Sequence, residues 1–183
     1  MPVKSNFAAG NILTASDTNT YLTNGGLVYI TETTIGSAVS SVAVANCFSS
    51  TYDNYVITVA GGVHSVGGAA MTLQLGSTTT GYYYSMIYTS WNNTVTGAGA
   101  ANVANWVYMG SADTSGLAAY IELNSPFLAK LTRARASIQN GTNYGGTTNG
   151  LLNNTTSYTG FTLALSGGTM TGGVVRVYGM RQA

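Results

Sequence analysis

Few side chains in this sequence can do chemistry, and they are dispersed. The acids are Asp17, Glu32, Asp53, Asp113 and Glu122. Cleaving a glycan needs two carboxyl groups facing one another, one to donate a proton and one to attack or to activate water. Asp17 suits a helix cap, and Asp53 lies in Ser49-Ser50-Thr51-Tyr52-Asp53-Asn54, a string of turn formers. The one histidine, His64, has Ser65 beside it. Adjacent residues on an extended chain point to opposite faces, and no Gly-x-Ser-x-Gly elbow is present. His64 therefore reads as a loop or strand-end residue. His64 and the single cysteine, Cys47, cannot build a tetrahedral zinc site without carboxylates. The flanks of Cys47 mark it as a small apolar strand residue, and one cysteine forms no intrachain disulfide. The glycine-rich stretches lack the Gly-Lys-Ser/Thr ending of a phosphate loop. The expectation is a non-enzymatic protein with no catalytic residues, no metal and no cofactor.

The concentrated feature is aromatic. Tyr82, Tyr83, Tyr84, Tyr88, Trp91, Trp106 and Tyr108 fall close together in the chain. Of three consecutive tyrosines at least one faces away from a core. Such a cluster serves as core plus interface, where Tyr and Trp are enriched, or as a stacking platform for sugar rings; core or interface is favoured. Residues 139–157 are Gly, Asn and Thr with few apolar anchors, and read as a long exposed loop suited to contact. Tyr83 and Trp91 from the first region, and Asn143 and Tyr144 from the second, are the candidate receptor or interface residues.

Elements must hold these groups in place. From Leu27 onward the pattern is period two, broken by turn residues. Expected strands include Leu27–Thr31, Ser41–Val44, Tyr55–Val59, Met71–Leu75, Tyr82–Tyr88, Trp106–Met109, Ala118–Leu123, Ala134–Ile138, Phe161–Leu165 and Val174–Tyr178. Glycine pairs such as Gly61-Gly62 and Gly172-Gly173 supply turns, and Pro126 marks a bend. The fold expected is all-β, an antiparallel β-sandwich or jelly roll spanning 27–183. Residues 1–26 differ. Thr14 can cap a short helix over Ala15–Leu22 that stops at Asn24-Gly25-Gly26. Two turns of helix are not stable alone in water. The segment is expected to be an anchoring arm whose apolar residues, Phe7, Ile12, Leu13, Tyr21 and Leu22, lean on the body or a neighbour.

Composition narrows the partners. Only 6% of the 183 residues are charged, against a usual ~25%. Hydrophobic residues make up 45%, so the chain is not a disordered tail. The net charge of +1 and the scattered basic residues do not make the stripe that nucleic acid requires. A neutral Thr/Asn/Gly surface suits a protein packed in a large assembly or touching carbohydrate. No run approaches the ~20 apolar residues of a membrane span. The start, Met1-Pro2-Val3-Lys4-Ser5-Asn6, does not read as a secretory signal, which predicts synthesis in the cytoplasm.

Phe7–Leu22, with its Phe-Ala-Ala-Gly-Asn-Ile-Leu-Thr-Ala and Asn-Thr-Tyr-Leu strings, resembles the N-terminal segment of tailed-phage virion proteins, in particular tail-fibre-like and minor structural proteins of aquatic phages. Phe48–Tyr55, Tyr158–Leu163 and Val175–Gly179 are similar to β-rich parts of the same proteins. These pieces cover under half of the chain, and the long repetitive shaft of many fibres is absent from it. The resemblance implies a virion component exposed on the particle: a short tail fibre or receptor-contact module. A capsid decoration or head-fibre protein is the alternative, and a glycan-binding lectin-like module the second alternative. It also implies self-association, commonly as a homotrimer, with other virion proteins and host surface glycan as further partners.

Overall fold

The computed structural model describes residues 26–141 and 143–180. The expected helix and the anchoring residues Phe7, Ile12, Leu13, Tyr21 and Leu22 lie outside them. Within them the regular elements are strands: β1 (Leu27–Thr34), β2 (Ser41–Val44), β3 (Asn54–Ala60), β4 (Val63–His64), β5 (Ala69–Leu75), β6 (Tyr82–Ser90), β7 (Val95–Val103), β8 (Ser111–Asp113), β9 (Gly116–Asn124), β10 (Thr132–Asn140), β11 (Tyr144–Leu152), β12 (Phe161–Leu165), β13 (Met170–Thr171) and β14 (Val174–Met180). The all-β expectation holds.

Alternation explains how the strands bury one face. In β9, Leu117, Ala119, Ile121 and Leu123 are buried while Ala118, Tyr120 and Asn124 are exposed. In β10 the small residues Ala134 and Ala136 are buried between Arg133, Arg135 and Ser137. Pairing is antiparallel throughout, and β9 is the branch point. One edge of β9 pairs with β3; the other is shared by β8 at its start and β10 further along. A large wing, β1-β14-β3-β9-β10-β11-β6-β7, thus continues through β8 into a small wing, β8-β5-β12-β2. Both wings feed one core: Ile57, Ile121 and Leu123 from the large wing join Met71, Leu73, Leu75 and Leu163 from the small one. Such a curled sheet is the sandwich or jelly-roll arrangement, with apolar faces inside. A direct tie crosses the core, where the Leu75 N–H donates to the Tyr82 hydroxyl at 2.8 Å.

Two of the expected segments differ in the structure. Trp106–Met109 is not a regular strand. Trp106 exchanges backbone hydrogen bonds with Leu73 (2.9 and 3.0 Å) and Met109 N–H donates to Met71 O, but Tyr108 between them takes φ 62° and breaks the extension. Residues 139–157 are not one long loop either. β10 runs to Asn140, a short turn follows, and β11 occupies Tyr144–Leu152. Its glycines serve close packing. A Cβ on Gly146 would collide with the Ile87 carbonyl, and one on Gly150 would lie 2.6 Å from the Trp106 ring nitrogen.

The register sorts the molecule into two ends. Leu27, Met180, Asn54, Asn124, Arg133, Leu151 and Tyr83 form one cross-strand row at the end where the described chain begins and stops. The β6–β7, β8–β9 and β10–β11 turns lie at the other end. Nine-residue strands such as β6 separate the ends by roughly 30 Å.

Candidate functional site

The far end carries the most exposed aromatic surface of the tyrosine-rich region. Trp91 follows β6 directly and is 58% exposed. Its turn, Ser90-Trp91-Asn92-Asn93-Thr94, is locked by short polar side chains. Ser90 Oγ bonds the Asn92 side chain, and Thr94 N–H donates to Ser90 Oγ at 3.1 Å. Asn93 supplies the left-handed φ of 70° that the tight reversal requires, a conformation Asn tolerates. The neighbouring β10–β11 turn is held in the same way, with Asn143 N–H donating to Asn140 O at 2.8 Å. The two turns join where Trp91 N–H donates to Asn143 O at 3.3 Å. Gly145 makes room for the indole: a Cβ there would stand 3.0 Å from Trp91 Cη2.

Ser90, Trp91, Asn92 and Asn143 thereby line one open depression. The Ser90 hydroxyl is spent within the turn, but Asn92 Nδ2 and Asn143 Oδ1 make no hydrogen bond among the described residues, so the exposed indole is flanked by one amide donor and one amide acceptor that can meet a ligand without any reacting group. The ring packs on an apolar ligand face while amides donate to and accept from hydroxyls. Asp113 stands at the same end in the β8–β9 turn, where a Cβ on Gly141 would lie 3.2 Å from its Oδ2. Hydrogen bonds from Ser115 hold its carboxyl below the usual carboxylate range, so this end carries a fixed negative charge at neutral pH.

The candidate residues separate by register. Trp91 and Asn143 come together. Tyr144, although next in sequence, is paired with Ser90 on the inward-facing side and packs against Tyr88 with ring centroids 4.5 Å apart. Trp91 rests on Gly145, which has the opposite facing. Tyr83 projects from the outer face at the other end, in the row of Leu27. Asn92 and Ser90 are contributors that sequence reasoning did not single out. Their signal was the Ser-x-Asn-Asn-Thr turn string itself.

Of the remaining reactive side chains, those of His64, Ser65 and Glu32 make structural contacts, and that of Cys47 is buried. His64 is buried in β4, its Nε2 2.8 Å from Gly167 O, and Ser65 Oγ accepts from Thr169 N–H. Both tie β4 to the β12–β13 connection. Cys47 is buried in a loop, not on a strand, and burial pushes its thiol up to about 12. Glu32 pairs with Arg176 at 3.1 Å, Glu122 lies opposite Arg135 in the register, and Asp53 O accepts from Ser125 N–H. Asp17 is outside the described residues. A second depression at the terminal end is lined by Thr78, Thr156, Tyr158 and Thr162 among others, and its polar groups largely bond one another: Tyr158 Oη lies 2.7 Å from Thr78 Oγ1 and accepts from Asn154 Nδ2 at 2.8 Å.

No protein-family model matches this chain, and no curated protein matches it in sequence.

Proposed function

We propose that this protein is a non-enzymatic structural component of a tailed-phage particle, made in the host cytoplasm and displayed on the virion as a short tail fibre or receptor-contact module. Its terminal end, with arm 1–26, faces the particle, and its Trp91–Asn143 end faces outward to touch carbohydrate on the host surface. The observation that carries this reading is polarity. The described chain enters at Leu27 and leaves at Met180 in one cross-strand row, while the open aromatic depression lies at the opposite ends of the same strands. A body so arranged can be held at one end and read at the other. The resemblance of Phe7–Leu22 to phage virion proteins supplies the setting.

The test is quantitative mass spectrometry of purified particles, joined to adsorption assays. A few tens of copies or fewer per particle, with particles carrying Trp91→Ala adsorbing about tenfold less well, equivalent to about 1.4 kcal/mol, supports the reading. A few hundred copies would move the protein to capsid decoration. Absence from particles would sink both virion readings; saturable binding of the isolated protein to host polysaccharide would then favour a free lectin-like module.

A further inference from the structure

We propose that β7 is the strand through which this protein joins a second copy of itself, and that its partner is β1 of that copy. Among the described residues β7 ends the large wing, and it contains no charged residue and no proline. An edge meant for solvent is normally blunted by Lys, Pro or a bulge. β7 has only a bulge near the terminal end, between the Tyr84↔Ala100 and Tyr82↔Val103 pairs, where Asn102 takes φ 55°. Among the described residues, the stretch from Val95 to Ala100 has no strand on the side away from β6.

Hydrogen-bond alternation fixes which groups point outward. Ser90 N–H donates to Thr94 O, so in the antiparallel pattern Val95, Gly97 and Gly99 aim their backbone groups away from β6. By the same logic, Ile35 N–H on Gly173 O leaves Glu32 and Thr34 aimed away from β14. In both strands these are the residues whose side chains lie on the outer face of the large wing. Antiparallel pairing of Gly97 with Glu32, and Val95 with Thr34, therefore joins backbone groups that have no partner among the described residues and continues one sheet face across two copies. Volumes match as well. β7 offers Gly97 and Gly99 with almost no side chain, whereas β1 presents Leu27 and Tyr29 at 45% and 53% exposure. β1 carries its own register shift between Tyr29 and Thr31, and across that extra residue the pairing brings Tyr29 alongside Gly99, an aromatic covering an edge glycine.

Polarity selects β1. Copies anchored by the same end stand the same way up. β7 runs from the Trp91 end to the terminal end, so its antiparallel partner must run in the other direction. Of β1, β2 and β7, the edge strands of the twelve-stranded sheet among the described residues, only β1 does. Head-to-tail contacts of this kind close into a ring when the rotation permits. The polarity step rests on the display reading.

The test uses the full chain. A Cβ at Gly97 would lie 3.5 Å from its nearest neighbour, Met86 O, so cysteine is accommodated there. Directly opposed residues have Cα atoms about 5.5 Å apart, within disulfide reach, and the buried Cys47 does not compete. Mixed Gly97→Cys and Glu32→Cys proteins should yield a disulfide-linked mixed dimer under mild oxidation, and neither alone should. Gly97→Lys should reduce the light-scattering mass at micromolar concentration to that of one chain. A Gly97→Cys protein that links to itself would mean copies of opposed polarity and overturn the assignment. So would wild-type protein that is monomeric, or an oligomer indifferent to Gly97→Lys. Mixed dimers from a protein absent from particles would keep this pairing and remove the display reading.

Discussion

Replacing Tyr82 by Phe tests whether the two wings are closed on one another at the position that steers β6. The ring would stay, packed edge-on against Trp106 with centroids 5.0 Å apart, so no cavity opens. What goes is the hydroxyl that receives the Leu75 N–H at 2.8 Å and reaches back toward Leu75 O at 3.4 Å. Both residues are fully buried. The N–H of Leu75 then has no partner, and a buried unsatisfied donor costs about 1–3 kcal/mol. Loss of a desolvated hydroxyl offsets part of that, leaving about 1–2 kcal/mol. For a chain of this size, Tm should drop by roughly 2–8 °C. Urea unfolding of the wild type, Tyr82→Phe and the exposed-neighbour control Tyr83→Phe measures this at constant m-value. Tyr83→Phe should stay within about 0.5 kcal/mol of wild type. A Tyr82→Phe protein as stable as that control would mean that water reaches Leu75 and that the wings are not closed there.

Cys47 predicts an alkaline limit. Its thiol titrates near 9.0 when unfolded and is pushed up to about 12 by burial in the fold. Below pH 9 it is neutral in both states and costs nothing; above pH 9 the unfolded chain loses the proton first, and stability falls by about 1.4 kcal/mol per pH unit until about 12. Burial also raises the Tyr55, Tyr82 and Tyr84 phenols, steepening the loss from about pH 10. Urea midpoints across this range should fall, and Cys47→Ala should flatten the segment between pH 9 and 10; identical profiles would refute the assignment. Deleting residues 1–26 should leave a cooperatively folding body that no longer enters particles. Normal loading of the truncated chain would refute the anchor.

Most of the fold was legible because most strands alternate. β2 and β12 match their expected bounds, Ser41–Val44 and Phe161–Leu165, since each is a short run of small or apolar residues between turn formers. β7 and β11 were not legible, for one shared reason. Thr-Gly-Ala-Gly-Ala and Tyr-Gly-Gly-Thr-Thr-Asn-Gly offer no large side chains to alternate, and glycine usually signals a turn. Here Gly146 and Gly150 sit in a strand because neighbouring atoms leave no room for a Cβ, information that belongs to β6 and Trp106 and not to β11 itself.

One of these hidden strands, β11, decides the site. Trp91 and Asn143 are far apart in sequence, and each was readable as a polar or aromatic turn residue. They meet because β6 and β11 pair without slippage from Tyr82↔Leu152 to Ser90↔Tyr144, so the turn after β6 and the turn before β11 end at the same height. That register also divides Asn143 from Tyr144. A strand begun one residue earlier would have turned Tyr144 outward beside Trp91 and buried Gly145. The Trp91 depression is therefore a consequence of glycine placement. Gly146 and Gly150 admit β11 to the sheet, and Gly145 gives the indole its seat. The aromatic that sequence reasoning noticed depends on glycines that it took for loop.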